Sequence, residues 1–154
     1  MHRFAYMQAQ TPAAAAAILS RNPDALLKAG GVDLLDLLKE HLVTPALIVD
    51  LSQIEELRGV TIDRSSGALR VGALTTFAQI ATHAEVQKGW PALTQVAAGA
   101  ATPQIRNLAT IGGNLCQRPR CWYFRQEDYL CRKKGGERCF ALEGENRYHA
   151  IFAN

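Results

Sequence analysis

Four cysteines lie in the last quarter of this 154-residue chain, at Cys116, Cys121, Cys131 and Cys139. Grouped cysteines in a chain without an export signal are more typical of metal ligands than of disulfides. Four thiolates suit the four iron sites of an iron–sulfur cubane. They also suit tetrahedral zinc, although zinc sites usually contain two closely spaced cysteine pairs and only Cys116 and Cys121 approach that spacing. The cysteines alone therefore leave zinc and iron–sulfur equally open.

Two glycine pairs form a second candidate site. Gly30-Gly31 follows a predicted strand and precedes a predicted helix, and Gly112-Gly113 lies between Thr110 and Asn114. Adjacent glycines let the main chain approach an anion closely, and a following helix adds the positive end of its dipole. The first loop suits a pyrophosphate, and the second predicts side-chain donors beside free backbone amides. Two ordinary tight turns explain the same pattern.

The elements that must position these residues are short and mixed. The patterns predict strands at residues 4–8, 25–28 and 46–50, and a hairpin of residues 60–63 and 68–72 around a Ser-Ser-Gly turn. They predict helices at residues 13–19, 34–39, 77–83 and 91–100, with Thr11 and Thr75 or Thr76 as caps. This order favours an α+β fold over a doubly wound parallel sheet. After residue 118 the periodicity stops and little apolar content remains, so we expect a bound metal to order that segment.

Composition and charge narrow the classes of function. A chain that is 48% hydrophobic and 20% charged can bury a core. It contains no run of 18 apolar residues and no export signal, which predicts a soluble, cytoplasmic protein, or a periplasmic one if a partner carries it across. The positive net charge lies in residues 116–154, which hold eight basic and five acidic residues. A zinc-stabilised nucleic-acid-binding module is therefore an alternative function.

Three ordered motifs carry a family resemblance: residues 28–35, Lys-Ala-Gly-Gly-Val-Asp-Leu-Leu; residues 71–76, Val-Gly-Ala-Leu-Thr-Thr; and residues 104–115, which include Thr-Ile-Gly-Gly-Asn. Together they resemble the FAD-binding subunit of the molybdenum hydroxylases, among them xanthine dehydrogenases, aldehyde oxidoreductases and carbon monoxide dehydrogenases. The resemblance implies an FAD-binding domain of the vanillyl-alcohol-oxidase type, in which both glycine loops contact FAD. Val32 departs from the pattern, because relatives often have Thr there. The implied FAD-binding residues are Ala29, Gly30, Gly31, Val32, Asp33, Leu34, Thr110, Gly112, Gly113 and Asn114.

A subset of this family inserts a cysteine segment that holds a 4Fe-4S cluster, and residues 117–125 and 144–151 resemble the periplasmic-type aldehyde oxidoreductases; 4-hydroxybenzoyl-CoA reductases are also similar. The resemblance shifts the metal prediction to 4Fe-4S, with Cys121, Cys131 and Cys139 as ligands. Cys116 is the remaining cysteine and would bring the number of thiolate ligands to four, but the family pattern also allows the fourth ligand to come later in the sequence. We predict an FAD-binding part at residues 1–115 and an iron–sulfur segment at residues 116–154, together matching the N-terminal half of the family.

The implied function is electron transfer within an oxidoreductase of the aldehyde or xanthine dehydrogenase type. We expect a 2Fe-2S partner subunit to pass electrons to FAD, after a large subunit with a molybdopterin cofactor has oxidised the substrate. The protein then supplies binding and orientation, and the cofactors supply the chemistry. No residue is predicted to be a catalytic acid, base or nucleophile, and neither a membrane span nor a nucleic-acid partner is expected.

Overall fold

A computed structural model describes residues 2–149. The chain forms two compact units. One, named the sheet unit, comprises residues 4–32 and 45–116, and the other, named the cysteine unit, comprises, among the described residues, 2–3, 33–44 and 117–149. Both units are built from segments that are distant in sequence. Within the described residues, no helix is long and apolar enough to cross a membrane.

A three-stranded parallel sheet forms one half of the sheet unit. Its strands are β1 (Ala5–Gln8), β2 (Leu26–Lys28) and β3 (Leu47–Asp50), in the order β1-β3-β2. All four residues of β3 are buried, as expected of a central parallel strand, whose side chains are covered on both faces. The Leu-Ile-Val sequence of β3 suits this position, because β-branched residues favour strands. Strand β1 is exposed at the edge.

An antiparallel hairpin and a set of short helices complete the sheet unit. Strand β4 (Val60–Ile62) pairs with β5 (Leu69–Val71), with Val60 opposite Val71. The connecting turn is tied by the Asp63 carboxylate, which accepts hydrogen bonds from Ser65 and Ser66. The helices of this unit are α1 (Pro12–Arg21), α3 (Phe77–Thr82), α4 (Ala84–Gly89), α5 (Pro91–Gly99), α6 (Pro103–Arg106) and α7 (Ile111–Leu115).

Threonine caps set the starts of several of these helices. Thr11 Oγ1 accepts a hydrogen bond from the Ala14 amide before α1, which begins with Pro12. Thr76 forms a capping box with Gln79 at the start of α3. Such caps satisfy helix amides that have no partner within the helix, and proline suits the first helical position because it has no amide to satisfy. The predicted caps at Thr11 and Thr76 are confirmed.

Two apolar clusters hold the sheet unit together. The first lies around strand β3 and includes Val49, Ile54 and Leu74. The second joins the helices to the hairpin, with Phe77, Ile80 and Val86 at its centre and Val60, Leu69 and Val71 packed against it. The predicted strands, the hairpin and the four predicted helices are confirmed, with ends that differ by up to two residues.

The cysteine unit contains a small core, which corrects the prediction that this segment has little apolar content to bury. Helix α2 (Val32–Lys39) contributes Leu37, and helix α8 (Trp122–Arg125) contributes Phe124. A short 3₁₀ helix, Arg132–Lys134, follows. Buried beside Leu37 and Phe124 are Cys121, Cys131 and Ala141, and Tyr123, Cys139 and Phe140 are packed against them. Most of this core comes from the tail itself, and residues 33–44 add Leu37, Leu42 and Val43.

Candidate functional site

The first glycine loop has a conformation and an environment that only glycine fits. Gly31 has a φ of 79°, in the left-handed region that other L residues rarely adopt. A Cβ atom on Gly30 would lie 1.8 Å from the Leu108 carbonyl oxygen and 2.8 Å from its carbon. After strand β2 the chain therefore turns at two residues that have no side chains. The turn packs against the backbone just before Thr110, and helix α2 follows.

The second glycine pair lies in helix α7 and its cap. Thr110 is buried, and its Oγ1 accepts a hydrogen bond of 3.2 Å from the Gly113 amide. A Cβ atom on Gly112 would lie 2.8 Å from both Cβ and the carbonyl oxygen of Ala73. Gly112 is thus required for close packing between the start of α7 and the segment that follows β5.

The amides of this second loop are not free, which corrects the prediction. The Gly112 amide donates to the Ala73 carbonyl at 2.9 Å, and the Ile111 amide donates to the Thr75 carbonyl at 3.0 Å. The Asn114 amide donates to the Thr110 carbonyl at 2.9 Å, as the cap geometry requires. The carbonyls of Ala73 and Thr75 thus use the first two amides, and the short helix α7, not recognised from the sequence, uses the Asn114 amide. What this loop offers a ligand is a small, close-packed surface and the exposed Asn114 side chain.

Within the sheet unit, the fold brings the two predicted loops together. Gly30 packs on Leu108 and Ala109, and Thr110 follows directly in the chain. The segment after Leu108 is held by the Phe77 amide, which donates to the Ala109 carbonyl at 2.9 Å, and by a bridge between Thr76 and Thr110. The first-turn amides of a helix have no partner inside the helix, so the start of α2 after Gly31 can bind an anion.

A polar cluster at the carboxyl end of the parallel sheet was not predicted from the sequence. Lys28 and Asp50 end neighbouring strands and pair in register, with Lys28 Nζ 3.2 Å from Asp50 Oδ1. Asp50 is buried and also accepts hydrogen bonds from Ser52 and Tyr6. Lys28 Nζ further donates to the Ala29 carbonyl at 3.4 Å. The cluster thus fixes the chain where it enters the Gly30-Gly31 turn, and its only sequence signal is the Lys and Asp at two strand ends.

The carboxylate of Asp33 is occupied by side chains and backbone of the cysteine unit. Its Oδ1 accepts a hydrogen bond of 2.7 Å from Arg125 Nη2, and its Oδ2 accepts one of 2.9 Å from the Arg118 amide. Because both carboxylate oxygens already accept hydrogen bonds, Asp33 can contribute to the predicted cofactor site through its backbone. Leu34 is half-buried, as is Val32, which opens α2 without a hydroxyl group.

Three of the four cysteines share one environment. Cys121 and Cys131 are buried, and Cys139 packs against the same apolar cluster. Cys116 is instead exposed at the C-terminal end of α7, in the sheet unit. Over residues 2–149, no group of three or more His, Cys, Asp or Glu side chains is arranged to hold a metal ion. The three buried or half-buried thiols have the chemistry of iron–sulfur ligands, but they do not form a preassembled single-ion site.

The fold and the glycine site together define the class of protein. Residues 2–121 match the family described as the FAD binding domain in molybdopterin dehydrogenase, and the chain belongs to that family. The predicted α+β flavin-binding fold is thereby confirmed. The alternative of a zinc-stabilised nucleic-acid-binding module receives no support from this match.

Individual relatives agree with the family match. The FAD-binding subunit PaoB of the aldehyde oxidoreductase from Escherichia coli (strain K12) is 38% identical over 156 residues, which cover 98% of this chain and 47% of PaoB. The xanthine dehydrogenase FAD-binding subunit of Escherichia coli O157:H7 is 45% identical over 111 residues, covering 72% of this chain and 38% of that subunit. The chain thus spans less than half the length of these two relatives.

A solved structure supports the same fold. Quinoline 2-oxidoreductase from Pseudomonas putida 86 superposes with a TM-score of 0.70 at 36% sequence identity, over 74% of this chain and 39% of that chain. At this identity and coverage, the likeness extends across most of the described chain.

We predict that Gly30→Ala destabilises the sheet unit, because the added methyl group would overlap the Leu108 carbonyl. The loss in the free energy of unfolding should be about 1–3 kcal/mol, the usual cost of overpacking. Urea unfolding followed by circular dichroism measures it. Gly89→Ala is the matched control, since a Cβ atom there meets nothing within 4 Å. Equal stability of the two variants would contradict the proposed close approach.

A second prediction concerns Asp50. Burial raises the pKa of this carboxyl, but hydrogen bonds from Tyr6, Ser52 and Lys28 outweigh burial and lower the pKa to about 2. An unfolded Asp has a pKa of about 3.9, so the carboxylate stabilises the fold above that pH, and the stabilisation is lost as pH falls through about 2.

Asp50→Asn should therefore reduce the difference in unfolding free energy between pH 5 and pH 2 by about 2 kcal/mol. Urea titrations of both proteins at the two pH values give this difference. Asp24→Asn, at an exposed position, is the control and should leave it unchanged. An unchanged pH dependence in Asp50→Asn would show that the hydrogen bonds to Asp50 do not stabilise its charged form.

Proposed function

We propose that this chain is the flavin-holding part of a molybdenum-containing dehydrogenase of the aldehyde or xanthine type, and that residues 29–34 and 110–114 bind FAD. The observation that carries the proposal is the packing of Gly30 directly on Leu108 and Ala109. It joins two segments, each containing a glycine pair, at the start of helix α2. A diphosphate needs close backbone approach, which the glycines allow, and amides without a partner inside the helix, which the first turn of any helix has.

The residues of the chain bind and orient the cofactor in this proposal. The start of α2 after Gly31 receives the diphosphate, and Lys28, held by Asp50, keeps the chain before the turn in place. Helix α7 presents the exposed Asn114 side chain to the rest of the cofactor. When bound, FAD supplies the ability to take up two electrons and release them again.

The wider role in the complex is also a proposal. The relatives' names describe FAD-binding subunits of an aldehyde oxidoreductase and a xanthine dehydrogenase. By analogy, a small subunit with a 2Fe-2S centre passes electrons from a large molybdopterin subunit to this chain, which delivers them to an external acceptor.

We further propose that Cys121, Cys131 and Cys139 are ligands of a 4Fe-4S cluster. Their shared apolar surroundings support this, because the reduction potential of an iron–sulfur cluster depends on how far the cluster is exposed to solvent. Thiolates are the ligands that iron–sulfur clusters use, and a cubane takes one thiolate on each iron. The alignment with PaoB covers 98% of this chain and so includes this segment.

Titration with FAD tests the main proposal. The full chain should bind one FAD, measured by quenching of flavin fluorescence, and ADP should compete because it carries the diphosphate. Riboflavin, which lacks the diphosphate, should bind at least about tenfold more weakly, since a difference of 1.4 kcal/mol is tenfold in affinity. Failure to bind FAD, or equal affinity for riboflavin, would contradict the assignment of the glycine loops.

Iron analysis tests the cysteine proposal. Protein purified without oxygen should contain iron and acid-labile sulfide in equal amounts, and Cys121→Ser, Cys131→Ser and Cys139→Ser should each lose most of it. Cys116→Ser should retain iron, since Cys116 is exposed and lies outside the shared cluster. Zinc in place of iron, or iron unaffected by the three substitutions, would rule the cluster out.

A further inference from the structure

Arg125 donates four hydrogen bonds within the described part of the cysteine unit. Its Nη2 donates to Asp33 Oδ1 at 2.7 Å, and its Nη1 donates to Asp36 Oδ2 at 2.9 Å. The same guanidinium donates to the carbonyls of Pro119 and Arg118, each at 2.9 Å. Only 13% of the Arg125 side chain is exposed. Charge-assisted bonds in such partly buried geometry are stronger than neutral ones.

Both carboxylates that Arg125 binds lie on helix α2. Asp33 and Asp36 are three residues apart and so project from one face of the helix. Asp33 is also held from the other side, where its Oδ2 accepts the Arg118 amide at 2.9 Å. Because Asp33 follows Gly31 by two residues, the first turn of α2 is fixed by the segment that carries the cysteines.

The guanidinium is itself anchored to the cysteine core. The centroid of the Phe124 ring lies 5.6 Å from Arg125 Cζ and 5.2 Å from Arg118 Cζ, within the range of a cation–π contact. Phe124 is buried in the cluster that contains Cys121 and Cys131. A continuous set of contacts thus connects the cysteine environment to Asp33.

Arg120 provides a natural comparison. It also pairs with Asp36, at 3.1 Å, and with Asp33, at 3.6 Å, but 57% of its side chain is exposed. Exposed ion pairs contribute little, because water screens them and the side chains lose entropy. The two arginines carry the same charge and pair with the same carboxylates. Comparing substitutions of the two therefore distinguishes the effect of a buried, bidentate contact from that of an exposed ion pair.

We propose that Arg125 is a positioning residue for flavin binding: by holding Asp33 and Asp36, it fixes the first turn of α2, whose amides the proposed function assigns to the diphosphate. This inference rests on the proposed binding of FAD at that turn. It also explains why Asp33 can occupy the first turn next to an anion site, since its charge is already paired.

The test compares FAD affinity in Arg125→Gln and Arg120→Gln, both measured by fluorescence quenching on the full chain. Arg125→Gln should weaken FAD binding about tenfold, whereas Arg120→Gln should change it less than about threefold. Arg125→Lys keeps the charge but not the planar fork, and should recover only part of the affinity. Asp33→Asn combined with Arg125→Gln should weaken binding by less than the product of the two single effects, because both act through one contact.

The outcomes separate this inference from the proposed function. If the unsubstituted chain binds no FAD, the proposed function fails. If that chain binds FAD and folded Arg125→Gln binds it equally well, the positioning role is overturned, and a lower melting temperature with unchanged affinity would show a purely structural role. Should Arg125→Gln not fold, Asp36→Ala removes the carboxylate that accepts from Arg125 Nη1: weaker FAD binding than in Arg120→Gln supports the role, and unchanged binding overturns it.

Discussion

The close approach of two backbone segments at Gly30 is the constraint around which the candidate site is built. A side chain of any size at this position would overlap the Leu108 carbonyl. The partner segment is in turn fixed by the Phe77 amide, which donates to Ala109, and by the Gly112 amide, which donates to Ala73. The site is therefore defined by main-chain geometry, which suits a ligand recognised through its phosphates rather than through a particular side chain.

The parallel sheet supplies the second part of this architecture. In open sheets with helices following the strands, ligands commonly bind beyond the carboxyl ends of the strands. Here Lys28 and Asp50 end adjacent strands and pair with each other, so the chain enters the glycine turn from a fixed point. Gly30 and Gly31 have no side chains of their own, so the Lys28–Asp50 ion pair holds the chain just before them. Within the cysteine unit, Arg125 and Arg118 hold Asp33 in the first turn of α2.

Local patterns in the sequence predict much of this structure, and long-range contacts account for the rest. Thr11-Pro12 and the hairpin turn at Ser65 and Ser66 are local signals, and the elements they predict are confirmed. The parallel order of the sheet depends on pairing between distant strands, which no local pattern encodes. The use of the Asn114 amide by helix α7 was missed because a five-residue helix with two glycines has low intrinsic propensity. The hydrogen bond from the Gly112 amide to the Ala73 carbonyl was missed because its partner is distant in sequence. The apolar core beside Cys121 was missed because Leu37 comes from a segment more than 80 residues away.

Amide hydrogen exchange in the presence and absence of FAD tests the central claim most directly, because it reports on each backbone segment separately. If the glycine turn and the start of α2 bind the diphosphate, FAD should slow exchange most strongly in peptides covering residues 29–34, with further protection at residues 110–114. Peptides from the exposed strand β1 should be unaffected. Protection by FAD elsewhere in the chain, with residues 29–34 exchanging at their original rate, would contradict the account.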